Sequence, residues 1–234
     1  VEVTHSEDLG LRNPTQLRLF HLKLDGVSFT DEGLYKCLRK NIGQYVFSRA
    51  EIDRYVNGGD AFSVALEAME RVLEQKGKAP DEFGNMLGEI LLYAFFEEKL
   101  NAPKIFSKME LNAHGTDAVY DGVHLLKLSD NEFQVVFGIS NLDDGPEDAV
   151  NNAFEKLKKA DGAKTKGIPL VCELLFNRHV DDNLAAQLDY IISPRPGVVS
   201  SDSAYGIFLC YNIGLAKDKY DTPKYKSLVE NQMI

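Results

Sequence analysis

Apolar positions in the first part of the chain recur mainly with helical spacing. Leu34, Leu38 and Ile42 fall on one face of a helix that Asp31 can cap and that runs through Asn41. The stretch before it, from Leu17 to Asp25, alternates in the manner of a strand. The pattern therefore predicts a strand followed by a first helix.

Two more helices are predicted before residue 79. Ser48 and Glu51 form a capping box, and the Gly58-Gly59 pair ends the helix that they open. Asp60 can cap the next helix. The apolar stripe of that helix comprises Phe62, Ala65, Leu66, Met69, Val72 and Leu73.

The polar stretch from Lys76 to Pro80 contains a Gly and a Pro, and it predicts a boundary. Residues 1–79 then form an N-terminal strand plus a mainly helical section. Residues 80–234 form an α/β core with a C-terminal extension.

The core is predicted from its change of periodicity along the chain. Its elements are a helix over Asp81–Leu100, strands over Lys104–Leu111, Val119–Leu128 and Phe133–Ser140, a helix over Pro146–Ala160, and an apolar strand over Ile168–Phe176. A further helix over Asp182–Ile191 and a strand over Ala204–Ile213 are expected after it. The fold class is α/β, and its α-β-β-β-α-β order resembles the restriction-endonuclease-like core.

Composition limits the compartment and the class of protein. Hydrophobic residues make up 44% of the 234 positions, which is enough for a real core. The longest apolar run, Ile90 to Phe96, is far shorter than a membrane span, so no membrane partner is expected. The acidic N-terminus lacks the features of a signal peptide, and the three cysteines show neither disulfide nor zinc spacing. A cytoplasmic protein is expected.

The formal net charge of −10 argues against tight unassisted binding of DNA, because free-standing DNA-binding domains are usually basic. It leaves room for a local basic patch or for a partner that holds the nucleic acid. Nucleotide binding in this chain is not expected, because the sequence contains neither a phosphate-binding P-loop nor a dinucleotide-binding glycine motif.

Two carboxylates are candidate metal ligands. Metal-dependent phosphodiester hydrolysis needs hard oxygen ligands for Mg²⁺ or Mn²⁺ and a cation near the developing charge. Glu89 stands among apolar residues of the long helix, and Asp121 stands at the head of an apolar strand. Alternatively, Glu89 reaches solvent at the helix edge or pairs with a Lys, and Asp121 with the following Gly forms a turn.

Three neighbours of Asp121 are weaker candidates. Asp117 is its rival as a ligand. His114 and His124 flank the segment, but neither has a partner at metal-binding spacing. Each histidine is therefore interpreted as a packing or hydrogen-bonding residue, with His124 the better candidate of the two.

The third predicted strand departs from the restriction-endonuclease-like pattern, in which it carries Glu-x-Lys. Ile139 and Asn141 stand in the Glu and Lys slots, although Ile cannot bind a metal and Asn carries no charge. Ser140 lies on the opposite face of a regular strand. Glu173 and Lys127 are the other residues that could replace the missing groups.

These residues resemble a known family. The segments Gly88-Glu-Ile-Leu-Leu-Tyr93, His114 to Leu126 with Asp121-Gly-Val-His124 inside it, and Phe137-Gly-Ile-Ser-Asn141 are similar to the nuclease subunit of Hachiman anti-phage defence systems. The resemblance covers most of residues 80 to 180.

The resemblance implies a bacterial defence protein that works with a helicase subunit and meets DNA through it. Members with an intact site carry Glu and Lys where Ile139 and Asn141 stand here. Two hypotheses therefore remain open. The chain is a metal-dependent DNA nuclease with relocated groups, or it is an inactive subunit that binds DNA or regulates the helicase.

Overall fold

The computed structural model describes residues 1–3, 18–78, 82–113, 119–129, 132–160 and 204–231. Their centre is a mixed sheet of four strands in the order β5-β6-β7-β8: Lys104–Ser107, Gly122–Ser129, Glu132–Asp143 and Ala204–Tyr211. The first three strands are antiparallel neighbours, and β8 runs parallel to β7. The α/β class is confirmed.

Helices cover both faces of this sheet. Helix α4, Glu82–Leu100, packs on one face, where Leu92 and Phe96 contact Val136. Helix α6, over 146–160, packs on the other face, where Leu157 and Ala160 join the cluster around Phe137. Because β7 is covered on both sides, its two alternating sets of side chains are both largely apolar.

The N-terminal section is mainly helical, as predicted. It contains α1 (Glu32–Val46), α2 (Arg49–Asn57) and α3 (Ser63–Lys78). Buried residues of α1, α3 and α4 form one cluster, so the section packs on the core through α4. The capping box of Ser48 and Glu51 is confirmed, whereas Asp31 makes no side-chain cap bond and α1 continues past Asn41 to Val46.

Two predicted strands are corrected. The stretch from Leu17 to Asp25 contains two short strands, β2 (Leu19–Phe20) and β3 (Leu24–Asp25), because each half has its own partner. Strand β2 pairs with β1 (Glu2–Val3), and β3 pairs with β4 (Ser28–Phe29) across a turn at Gly26. Strand β5 ends at Ser107, and the short helix α5 (Lys108–Ala113) replaces the rest of the predicted strand.

The chain closes with a 3-10 turn over Lys217–Lys219 and helix α7 (Thr222–Asn231). Tyr225 and Val229 of α7 are buried, and the Tyr225 ring meets Phe29 of the β3–β4 hairpin edge to face. The predicted strand over 168–176, the helix over 182–191 and the turn over 193–197 lie outside the described residues. The strand found beside β7 is β8, close to the predicted 204–213. The boundary at residue 79 stays a prediction.

Candidate active site

The candidate site lies at the end of the sheet where β5 stops and β6 begins. Asp121 immediately precedes β6, and its amide donates to the Gly138 carbonyl at 2.9 Å. Its own carbonyl accepts from the Lys108 amide at 3.2 Å. The backbone of Asp121 is therefore fixed between the end of β5 and the middle of β7.

Gly88 brings α4 close to this end of the sheet. A Cβ at Gly88 would overlap Leu142 Cδ1 and lie 3.0 Å from Ser140 Oγ, so a larger residue would require these side chains or the helix to shift. Glu89 follows directly and is carried into the same region.

Lys108 joins the two predicted carboxylates. Its Nζ lies 2.9 Å from Glu89 Oε1 and 3.2 Å from Asp121 Oδ1. Glu89 is 6% exposed and Asp121 is 4% exposed, whereas the Lys108 side chain keeps 29% of its surface accessible. The structure thus brings both predicted acids together and adds a cation whose outer side reaches solvent.

The two remaining carboxylate oxygens also have donors. The Tyr45 hydroxyl, from the end of α1, donates to Glu89 Oε2. Ser140 donates to Asp121 Oδ2 from its amide at 2.6 Å and from its hydroxyl at 2.9 Å. A second ammonium, that of Lys156 on α6, donates to the Ser140 carbonyl at 2.7 Å. Every oxygen of the buried pair therefore has a hydrogen-bond partner, as buried acceptors require.

Burial and the neighbouring charges shift the pKa values of Glu89, Lys108 and Tyr45. Burial raises the pKa of the Glu89 carboxyl, Lys108 opposes that rise and the charge of Asp121 adds to it. Burial alone would lower the pKa of Lys108, but the two carboxylates more than offset this and raise it, so the ammonium stays charged. Burial and Glu89 raise the pKa of Tyr45 well above its usual range, so its phenol stays a donor.

A buried ion pair next to the site links β5, α5 and the end of α1. Lys104 and Glu110 lie 2.8 Å apart, each almost fully buried. Lys104 Nζ also donates to the carbonyls of Gln44 and Phe47 at the end of α1, where a cation complements the helix dipole. This arrangement anchors Tyr45, because the same lysine connects the end of α1 to the start of β5.

Helix α5 begins with a capping box that places Lys108. The Ser107 amide donates to Glu110 Oε2 at 2.8 Å, and the Glu110 amide donates to Ser107 Oγ at 3.2 Å. Lys108 is the first residue of the helix. The sequence interpretation missed Lys108 and Tyr45, yet the Ser107-x-x-Glu110 pattern was a readable signal that a helix starts there.

The structure corrects the placement of Ile139 and Asn141. Ile139 is fully buried among the side chains that face α6, and Asn141 Nδ2 donates to the Ala149 carbonyl of α6 at 3.3 Å. Gly138, Ser140 and Leu142 face α4 instead. Strand alternation therefore puts Ile139 and Asn141 on the face away from Glu89 and Asp121, and Ser140 on the site face.

The other candidates fall into two groups. His124 is buried, its Nδ1 lies 2.9 Å from the Ala102 carbonyl, and burial lowers its pKa to about 4, which fits the packing interpretation. Lys127 is exposed towards the far end of β6. His114, Asp117 and Glu173 lie outside the described residues.

Glu89 and Asp121 have the chemistry to hold one Mg²⁺ or Mn²⁺. Both are carboxylates, the ligand type that such hard cations prefer, and Mg²⁺ commonly keeps several waters beside one or two carboxylates. Among the described residues, no group of three or more His, Cys, Asp or Glu side chains converges on a metal position. The pair therefore fits a cation whose remaining ligands are water or substrate oxygens.

Comparison with known proteins identifies one family. The family model described as HamA matches residues 1–234. No curated protein and no solved structure matches the chain. No described helix is long and apolar enough to cross a membrane. Because the family model spans the whole chain, the chain belongs to the HamA family, a subunit of the Hachiman antiviral defence system.

Proposed function

We propose that this HamA-family chain is the DNA-cleaving subunit of its Hachiman system and that Glu89, Asp121 and Lys108 carry the reaction. The observation that supports this most is the contact of one lysine ammonium with both buried acids. A nuclease of the restriction-endonuclease type uses carboxylates beside a lysine. In this chain the lysine comes from the start of α5 rather than from the third strand.

Each group has a distinct task in this proposal. Glu89 and Asp121 would hold the divalent cation, which when bound supplies Lewis acidity and lowers the pKa of water. Lys108 is partly exposed, so its ammonium can meet the phosphate and stabilise the charge that develops there. Tyr45 and Ser140 donate to the carboxylate oxygens that Lys108 does not contact, Glu89 Oε2 and Asp121 Oδ2, and fix the orientation of the two acids.

The charge of the chain argues for a partner that presents the DNA. A net charge of −10 repels a polyanion, and the site is an acidic pair with one lysine bridging it. We therefore propose that a helicase subunit of the same system holds the nucleic acid.

A second function has its own support. On β7 the residues that face the site are Gly138, Ser140 and Leu142, so no carboxylate comes from that strand. Every oxygen of Glu89 and Asp121 already has a donor from the chain. A subunit that binds DNA or regulates the helicase without cutting would be compatible with these contacts.

A cleavage assay separates the two functions. The complex with the helicase subunit would be incubated with duplex and single-stranded DNA and Mg²⁺ or Mn²⁺, with wild type beside Asp121→Asn and Glu89→Gln. Asp144→Asn is the matched control, because Asp144 is exposed at the end of β7. We expect each site variant to cut at least about 100-fold more slowly and the control to cut normally. Equal cutting by Asp121→Asn and wild type would reject the site, and DNA binding without cutting by wild type would favour the second function.

A further inference from the structure

Helix α3 has two apolar faces, and the described residues of the chain pack against one of them. Ala68 and Val72 are buried against the helical section, and Val64 packs beside them. A Cβ at Gly43 of α1 would lie 2.8 Å from Val64 Cγ1, so the two helices are in close contact on this side. These contacts satisfy the need of α3 to bury an apolar stripe.

The second apolar face is exposed. It consists of Phe62 just before the helix and Leu66, Met69 and Leu73 along it, spaced at i, i+4, i+7 and i+11. Their exposed fractions are 90%, 61%, 49% and 55% respectively. Four large apolar side chains aligned over three turns form a continuous stripe, and such stripes on soluble proteins mark interaction sites. We refer to these four residues as the α3 stripe.

One edge of the α3 stripe is acidic. Glu70 and Glu74 are exposed and lie one turn apart along that edge. Glu70 lies one turn after Leu66, and Glu74 directly follows Leu73 in the sequence. Glu67 lies further round and accepts a hydrogen bond from Tyr55. On the other side, Ala65 is exposed beside the stripe, and Ala68 and Val72 pack against the helical section beyond it. A ligand of this face therefore meets a hydrophobic row with negative charge along one edge.

We infer that the α3 stripe is the docking surface for a helix of the partner subunit, one with an apolar stripe flanked by Lys or Arg. This rests on the proposed function, in which the chain works with a helicase subunit. An amphipathic helix laid along another helix matches apolar side chains at the same i, i+4, i+7 spacing. Basic residues on its flank would pair with Glu70 and Glu74 and would select its direction.

The acidic edge disfavours two other occupants. Two copies of this chain that met through this face would bring the Glu70 and Glu74 edges of two acidic proteins, each with a net charge of −10, into one interface. An anionic membrane surface would be repelled by the same glutamates. A basic helix meets neither penalty.

The stripe is also close to the candidate site through α1. The packed side of α3 meets α1 at Gly43, and Tyr45 of α1 donates to Glu89. A partner on the α3 stripe would therefore be bound one helix away from a catalytic acid.

The test measures binding of the full chain to the purified helicase subunit of its system, by calorimetry at two salt concentrations. The stripe variant is Leu66→Glu with Met69→Glu, and the edge variant is Glu70→Lys with Glu74→Lys. Val150→Glu is the matched control, because Val150 is also an exposed apolar residue but lies on α6. Thermal unfolding and the mass in solution are measured for every isolated variant.

We expect the stripe variant to bind at least about tenfold more weakly, because the loss of buried apolar contacts at the centre of an interface is costly. The edge variant should bind a few-fold more weakly and lose much of the salt dependence, while Val150→Glu should bind like wild type. All isolated variants should unfold like wild type, since no described part of the chain packs on the stripe.

Four outcomes would overturn the inference. If wild type binds the helicase subunit and the stripe variant binds equally well, the surface is wrong but the partnership stands. If wild type does not bind it, the partnership and the docking surface both fail. A marked fall in the melting temperature of the isolated stripe variant would show that this chain covers the face itself. A wild-type dimer that the stripe variant dissociates would show that a second copy covers it.

Discussion

Ser140 donates two hydrogen bonds to a single oxygen of Asp121, from its amide at 2.6 Å and its hydroxyl at 2.9 Å. The amide is available because β6 begins at Gly122, one residue after Asp121, and leaves this part of β7 unpaired on that side. The end of a strand thus supplies a donor that the sheet does not use, and the buried carboxylate accepts it.

Ser140→Ala should weaken the site without removing it. The variant loses the hydroxyl donor but keeps the amide, so we expect about 1 kcal/mol less free energy of unfolding and cleavage slower by about tenfold. Denaturant unfolding and single-turnover cleavage measure the two effects. Ser63→Ala is the control, because the Ser63 hydroxyl bonds Asp60 in an exposed position. An effect of equal size in both variants would argue against a special role for Ser140.

Tyr45→Phe tests the contact between the helical section and the site. Glu89 Oε2 would lose its donor while remaining buried, so we expect a loss of about 1–3 kcal/mol in the free energy of unfolding. Tyr93→Phe is the control, because the Tyr93 hydroxyl makes a longer bond of 3.2 Å to Gln44, which is exposed. Losses of the same size in both variants would contradict the special position of Tyr45.

Ile139→Glu should not restore a nuclease site. Ile139 is fully buried on the α6 side of β7, so a carboxylate there would be an unpaired buried charge. We expect a loss of at least about 3 kcal/mol in the free energy of unfolding and no gain in cleavage. Ile207→Glu is the control, since Ile207 pairs with Ile139 in register but is exposed. A stable Ile139→Glu protein that cuts DNA faster than wild type would contradict the assignment of faces.

His124 gives a prediction for pH. Burial lowers its pKa to about 4 in the folded protein, against about 6.5 in the unfolded chain. The unfolded chain therefore binds the extra proton between these values, and stability falls as the pH falls from 6.5 to 4, by at most about 3 kcal/mol. The difference in unfolding free energy between wild type and His124→Asn should change by that amount over this window. A difference that stays constant with pH would show that His124 is not held neutral.

The sequence indicated part of the site, and the reasons for the rest are physical. Glu89 and Asp121 were recognisable because a carboxylate within an apolar stretch needs an explanation. Lys108 was missed because the apolar residues around it continued a predicted strand, although the Ser107-x-x-Glu110 capping box ends that strand. Tyr45 could not be found from the sequence, since only packing brings the end of α1 to Glu89.

The face of β7 could not be read from alternation. Val136 packs towards α4 and Phe137 towards α6, so both sets of the strand are apolar and neither set marks the site. Ile139 and Asn141 were therefore chosen by their place in a motif. The α/β class and the bounds of α4 were predictable, because a long apolar helix ending at Leu100 has a strong signal. The parallel pairing of β7 with β8 depends on contacts between residues far apart in the sequence.

The most direct test of the central claim is a double-mutant cycle on Lys108 and Asp121, read as the single-turnover rate of DNA cleavage by the complex with the proposed helicase subunit. Lys108→Met, Asp121→Asn and the double variant would be compared with wild type. If Lys108, Asp121 and Glu89 act as one unit, each single variant of Lys108 or Asp121 loses most of the activity. The double variant is then hardly slower than either single variant. A Lys108→Met protein that cuts at the wild-type rate, or losses that simply add, would contradict the account.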